Sequence, residues 1–325
     1  MKFNQHSIDI DAAAEAERIT STLRRQVRQG MHRHGAVVGI SGGIDSAVVL
    51  ALCVRAFGPQ KVVAIMMPEK DSDPESERLA RQLAEKYGVT PLLENITPIL
   101  EGFACYSRRD EAIRRVFPEY DAGRGYKAKL VLPDNLLEEG TLNVFSITIV
   151  DPKGREFSKP LPAREFLQIV AASNFKQRTR MSMLYYHAEL NHHAVIGTAN
   201  KNEHDQGFFV KYGDSGVDIK AIGHLYKTQV YQLARHLGIP EEIQKRTPTS
   251  DTYSAPCTQE EFFFRLPFPT MDLLWYAQEQ RVPPQEVAEV MGLTEKQVER
   301  AFDDFTRKYR TTEYLRLAPQ SINES

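Results

Sequence analysis

Two glycines, two serines and one carboxylate fall within six residues, Ser41-Gly42-Gly43-Ile44-Asp45-Ser46. Apolar runs flank them, AVVGI (36–40) before and AVVLAL (47–52) after. Glycines let a chain turn tightly after a strand and leave its N–H groups bare. Bare N–H groups at the start of a helix form an anion site. Asp45 falls in the first turn of that helix, and a carboxylate beside a phosphate cradle makes sense when a divalent cation bridges the two. Ser41 and Ser46 add hydroxyl donors. The combination suits pyrophosphate with Mg²⁺. Its spacing is neither the GxxxxGK[ST] loop, since no Lys-Ser or Lys-Thr ends it, nor the dinucleotide GxGxxG.

SGGIDS resembles the signature of the ATP pyrophosphatases, the PP-loop superfamily. That resemblance implies attack on the α-phosphorus of ATP with loss of pyrophosphate. Four further stretches are similar to the NAD synthases within that superfamily: SNFKQRTRM (173–181), IGTANKNEHDQGFFVKYGDSGVD (196–218), GHLYKTQVYQLARHLGIPEEIQKRTPT (223–249) and KYRTTEYLRLAP (308–319). The likeness covers about 36–98 and 171–319. It implies an adenine nucleotide alpha hydrolase-like fold. It also implies ammonia-dependent amide formation on deamido-NAD through an acyl-adenylate, and a homodimer whose shared face includes the helix around Arg178 and the C-terminal region. The roles it implies are specific. Asp45 and Glu203 hold Mg²⁺ and, with Lys227, serve catalysis. Gly39, Ile40, Ser41, Gly42, Gly43, Ile44, Asp45 and Ser46 cradle the phosphates, and Thr198, Lys227 and Thr249 contact ATP. Arg178, Lys211 and Asp218 contact the acid substrate.

Three departures fall on the acid side or the closing loop. The family ending TEHKR is TEYLR here, so Tyr314 and Leu315 stand where the family has His-Lys. The loop SDTYSAPCTQEE (250–261) has no lysine, and Arg246 or Arg265 is the candidate substitute. Residues 101–170 have no counterpart in compact family members and are expected to be an insertion. Within it the cluster Arg108, Arg109, Arg114 and Arg115 either replaces the missing lysine at the substrate, with Arg316 as a nearer alternative, or forms a solvated helix face. These departures leave open an amide ligase acting on a different carboxylate. A tRNA-modifying enzyme is disfavoured by the absence of CxxC and of a basic tail, and a nucleotide sensor by the presence of Asp45 and Glu203.

The elements that must position these residues follow from periodicity. Residues 8–29 predict a helix capped by Ser7 or Asp9 and ended by Gly30. AVVGI, KVVAIMMP (61–68), VTPLLENI (89–96) and AVIGT (194–198) read as strands. Helices between them are predicted after the Gly-Gly turn and after Asp73-Pro74, where Pro suits a first turn. Strand and helix in alternation mean a doubly wound parallel sheet, α/β, with helices on both faces. TLNVFSITIVDPKGREF (141–157) predicts a hairpin turning at Asp151–Gly154, and the helix NFKQRTRMSMLYYHAEL resumes from about 171. Residues 247–270 read as a long loop, and the rest as a helical C-terminal region ending near Tyr309.

The chain has 325 residues, 42% hydrophobic and 26% charged, the composition of an ordinary enzyme. A single domain over 1–325 is expected. A net charge of −2 offers nucleic acid no global attraction. Cys53, Cys105 and Cys257 are too far apart for a zinc motif. No signal peptide or membrane span is visible, so a cytoplasmic protein is expected. No length is left over for a glutaminase, so free ammonia is the expected nitrogen source.

Overall fold

The computed structural model describes residues 2–132, 136–137, 145–249 and 252–322. Helix α1 (Ala12–Arg25) is capped by Asp11, whose carboxylate accepts from the N–H groups of Ala13 and Ala14. Its start is later than the sequence predicts, because Asp9 is engaged by Gln232 and His6 instead. Residues Gln26–Gly30 close it as a π-helical turn. There follow β1 (Ala36–Gly39), α2 (Ile44–Phe57), β2 (Val62–Met66), α3 (Pro74–Lys86) and β3 (Leu92–Leu93). Asp73 caps α3 and Pro74 fills its first position. β3 is shorter than the predicted 89–96.

Helices α4 (Thr97–Gly102) and α5 (Cys105–Val116) lead into an antiparallel sheet of β4 (Lys127–Val131), β5 (Ser146–Val150) and β6 (Glu156–Pro160). β5 and β6 turn through Asp151–Gly154, as the sequence predicts. Asp151 Oδ1 fixes the turn by accepting from the N–H groups of Lys153 and Arg155. The opening residues 141–144 of the predicted hairpin, like 250–251 of the loop, lie outside the described residues. α6 (Ala163–Asn191) begins well before 171. Pro162 stands at its N-cap, and its first half packs Ile169 on the inserted sheet while Met181, Leu184 and Ala188 pack on the main sheet. One helix therefore ties the antiparallel sheet to the parallel one.

β7 (Ala194–Gly197), α7 (Lys201–Gln206), β8 (Ile219–Lys220), α8 (Lys227–Leu237) and α9 (Glu241–Lys245) complete the α/β unit. Its sheet has the order β3-β2-β1-β7-β8, parallel throughout. Successive strand residues face opposite sides. Ala36 and Val38 therefore pack with α1, α2 and α8, while Val37 and Val195 pack with α4, α5 and α6. Cover on both faces is why these strands read as unbroken apolar runs. A second core joins α10 (Phe268–Glu279), α11 (Pro284–Met291) and α12 (Glu295–Thr311), with α13 (Glu313–Arg316) beyond. The helical region thus runs past Tyr309. The predicted loop 247–270 contains a π-helical turn at Glu260–Phe264 and the start of α10.

Candidate active site

β2 and β3 lie on one side of β1, β7 and β8 on the other. Open parallel sheets bind ligands at such a switch point, outside the carboxyl ends of the strands. A cavity of about 570 Å³ opens there, a size typical of small-molecule sites. The Ser41–Ser46 turn lines it. α2 has no side-chain cap at its N-terminus, so its first N–H groups remain for a ligand. The two serines hold the turn. Ser46 Oγ donates to Gly43 O at 3.0 Å and accepts from Ser41 N at 3.3 Å, and Ser41 Oγ accepts from Gly43 N at 3.3 Å. Gly42 does not line the cavity. It has φ +71°, and a Cβ there would lie 2.6 Å from Ser76 O, so the turn rests directly on α3.

Asp45 Oδ2 accepts from the ammonium of Lys227, the first residue of α8, and Asp45 Oδ1 accepts from Asn200 Nδ2 at 3.1 Å. Asn200 also caps α7. Its Oδ1 accepts from Glu203 N, and its own N–H donates to Glu203 Oε2, each at 3.1 Å. One buried asparagine thereby joins both carboxylates that the sequence singles out. Glu203 Oε1 accepts from Gln259 Nε2 of the long loop at 3.3 Å. Lys227 is fixed in turn: its N–H donates to Asn202 Oδ1 at 3.1 Å, and Asn202 Nδ2 and the N–H of Thr228 both donate to Asp272. Burial pushes Asp272 up to about 6 despite those two donors.

Burial and then the charge of Asp45 hold Glu203 well above the usual carboxylate range. Burial pulls the Lys227 ammonium down, but Asp45 and Glu203 outweigh it and leave it above its ordinary value. Asp45 pairs directly with the ammonium, and Glu203 lies within electrostatic reach of both, so a bound cation would favour the ionised form of Glu203. Among the described residues no group of three His, Cys, Asp or Glu side chains gathers. A hard dication that takes oxygen ligands fits this pair, with phosphate and water supplying the remaining positions.

The cavity also takes in Gly39, Ile40, Gly43, Ile44, Thr198 and Thr249 from the expected set. Arg246 lines it as well, donating to Asp73 Oδ2 at 3.1 Å and Ser76 Oγ at 2.9 Å, whereas Arg265 is buried elsewhere. Arg178, Lys211 and Asp218 are not brought into the cavity. Arg178 Nε donates to Lys211 O at 3.3 Å. Lys211 Nζ donates to Tyr314 O and Leu317 O, at 2.8 and 2.9 Å, and so holds Tyr314 and Leu315 against the cavity, which they line. Asp218 Oδ2 accepts from Val195 N and Oδ1 from the Tyr185 hydroxyl, which braces β7.

The arginine cluster does not line the cavity: only Arg109 is buried, while Arg108, Arg114 and Arg115 keep exposed positions on α5. Arg109 pairs with Asp71 and Asp110 while buried, Arg114 donates to Tyr120 O, and Arg115 to Glu165 and Gln168. Arg108 lies exposed on α5, and Arg316 donates to the last carbonyls of α7. Of these cations Arg115 joins α5 to α6 through Glu165 and Gln168, a pairing that spacing on α5 alone does not reveal. Polar wall residues to which the sequence gives no role include Asn174, Gln177, Arg180 and Asp214. All lie inside quoted motifs, so the signal was present. Burial pushes Asp214 up to about 6, although Val210 N donates to it at 2.7 Å. Aromatic rings also line the cavity, with Phe145 and Phe166 stacked at 4.7 Å and Phe208, Phe262 and Phe263 among the same wall residues.

The family described as NAD synthase matches residues 15–116 and 134–319. The likeness therefore runs through much of 101–170 and leaves out only 117–133 there. The chain is 48% identical over 320 residues to the NH(3)-dependent NAD(+) synthetase of Rhizobium meliloti (strain 1021), covering 98% of this chain and 95% of that protein. It is 38% identical over 256 residues to the protein of that name from Thermotoga maritima, covering 79% and 84%. Among solved structures, the NH3-dependent NAD synthetase from Campylobacter jejuni superposes with a TM-score of 0.62 at 22% identity, covering 97% of this chain and all of that one (100%). At that identity the likeness is one of fold. With the PP-loop turn, the lysine and the two carboxylates gathered at the switch point of the sheet, the chain belongs to the NAD synthase family of carbon–nitrogen ligases.

Proposed function

We propose that this protein is an ammonia-dependent NAD synthetase, converting deamido-NAD, ATP and ammonia to NAD, AMP and pyrophosphate. The observation that carries this is the convergence of the open α2 N-terminus, Lys227, Asp45 and Glu203 on one cavity that aromatic rings also line. An oxygen of the substrate carboxylate attacks the α-phosphorus, the bond to pyrophosphate breaks, and an acyl-adenylate forms. The bare N–H groups of the turn, Lys227 and Arg246 stabilise the charge on the departing pyrophosphate. Asp45 and Glu203 would hold Mg²⁺, which supplies further charge neutralisation when bound. Ammonia then forms the C–N bond, the C–O bond to AMP breaks, and a proton leaves the new nitrogen. Positioning suffices for this second step, so no protein nucleophile is needed. Arg180, Gln177 and Asp214 are the polar groups offered to the nucleotides along the wall.

Arg178, Lys211 and Asp218 remain candidates for contacts to the acid substrate, delivered across a subunit boundary in a homodimer. Exposed Leu167, Tyr186 and Leu190 on α6, and Tyr309, Tyr314 and Leu317 near the C-terminus, support such a shared face. A cytoplasmic location is part of the same reading. Cys53 and Cys105 are buried free thiols, the usage of a reducing compartment, and no described helix is long and apolar enough to cross a membrane.

The test is product formation by the purified protein. Deamido-NAD, ATP and ammonium should give NAD, with glutamine a poor substitute, and sizing should give a dimer. Absence of NAD at any accessible substrate concentration would refute the assignment. Tyr314 and Leu315 on the cavity wall favour one second reading, an amide ligase for another carboxylate. Pyrophosphate release with other acids but not deamido-NAD would select it.

A further inference from the structure

We propose that Lys176 and the outer edge of β4 fasten the segment 252–258 over the cavity, which makes the antiparallel sheet a positioning element for the amide-forming half of the reaction. β4 is an edge strand, and its outer backbone groups are taken by this segment. Ala128 N donates to Ser254 Oγ at 3.0 Å, Ala128 O accepts from Ala255 N at 3.1 Å, and the Cys257 thiol contacts Leu130 O at 3.6 Å. Residues two apart on a strand present the same edge, so these contacts form one seam.

The other fastening is a buried lysine. Lys176 on α6 is 1% exposed, and its ammonium donates to Thr252 O at 2.9 Å, Glu69 Oε1 at 2.7 Å and Asp71 Oδ2 at 2.8 Å. Arg109 completes the pairing of Asp71, and the Tyr106 hydroxyl donates to Glu69 Oε2 at 2.7 Å, both from α5. The hub therefore joins the segment to the loop after β2 and to the insertion. What is fastened is the cavity wall itself: Thr252, Tyr253 and Gln259 line it, and Gln259 reaches Glu203.

The consequence rests on the acyl-adenylate reading above. If the wall opens, water attacks the acyl carbon in place of ammonia, the C–O bond to AMP breaks, and the acid is regenerated with loss of a proton. ATP is then spent as AMP and pyrophosphate without amide.

The test is the amount of AMP formed per amide at limiting ammonia. Wild type should form AMP in small excess over amide, the excess being hydrolysed acyl-adenylate. Ser254→Ala removes one acceptor from the seam in a partly exposed position and should raise that excess about two- to tenfold, the weight of one hydrogen bond. Exchange of the Ala255 amide hydrogen should quicken with it, while Ser254→Thr restores both. Lys176→Gln should exceed Ser254→Ala where it folds. Either readout staying at the wild-type value in Ser254→Ala overturns the proposal, whatever Lys176→Gln does. Failure of the underlying reading shows differently, as wild type that makes no amide.

Discussion

Asn200 is buried, touches both expected metal-binding carboxylates, and performs two separable jobs. As the N-cap of α7 its Oδ1 accepts from Glu203 N. As a positioning group its Nδ2 donates to Asp45. Serine caps a helix about as well as asparagine, but it is one atom pair shorter and has no amide to reach Asp45. Asn200→Ser should therefore keep the contribution of the cap. It should nevertheless lose the bond to a charged group, which is about 1.5–3 kcal/mol, or roughly 10- to 150-fold in kcat/KM for ATP. Asn200→Ala loses the cap as well. It should have the same catalytic defect and a further stability loss of about 1 kcal/mol, read as a melting temperature lower by roughly 2–4 °C. Asn200→Asp keeps the cap but places a third carboxylate beside Asp45 and should be the least active of the three. Steady-state pyrophosphate release and thermal melts on all three variants decide it. Wild-type kcat/KM in Asn200→Ser would mean that Asp45 is held by Lys227 alone, and the positioning argument fails.

Asp45→Asn and Glu203→Gln should each abolish ATP turnover with the fold retained. Near-wild-type pyrophosphate release in either would count against their role at the phosphates. Arg246→Ala should raise KM for ATP about tenfold or more, as expected for one charge-assisted contact to phosphate, with little change in KM for the acid; equal effects on both would contradict its placement. Gly42→Ala should lose activity and about 1–2 kcal/mol in denaturant melts, since Cβ would strike Ser76 O at a positive φ. Burial alone would raise the Asp71 carboxyl, but Lys176 and Arg109 outweigh it and hold it below its ordinary 3.8. Its contribution to stability is therefore complete above that value and is lost as pH falls through the lower folded value. Asp71→Asn should remove this acid-side dependence, and an unchanged pH–stability profile below about 4 would refute the pairing.

The phosphate end of the site was legible because backbone geometry dictates residue type there. A strand that must turn onto a helix against Ser76 O needs glycine at position 42, and an anion site needs α2 left uncapped by side chains. Glu203 and Lys227 carry no such local mark. They lie 158 and 182 positions from Asp45 in the sequence, and only the motifs around them marked them before the sheet brought them together. Arg109 shows the opposite case. Its neighbours in sequence are arginines and an acid, which read equally well as solvated surface or as a phosphate clamp. Its actual partner, Asp71, follows β2, and Lys176, which shares that partner, lies on α6. Burial of a charge requires a partner, but sequence does not say which of many opposite charges will be packed against it. The same reasoning explains Tyr314 and Leu315. As letters they were two lost polar groups. In the fold Lys211 holds the carbonyls of Tyr314 and Leu317 and so places both side chains on the cavity wall. If that wall contacts the acid substrate, Lys211→Met should alter KM for the acid through Tyr314 without touching it directly. Tyr314→Ala should then produce the same rise in KM, and the double variant no more than either alone, since residues acting through one contact are not additive. Full additivity of the two would show that Lys211 meets the substrate itself, and the tether would be incidental.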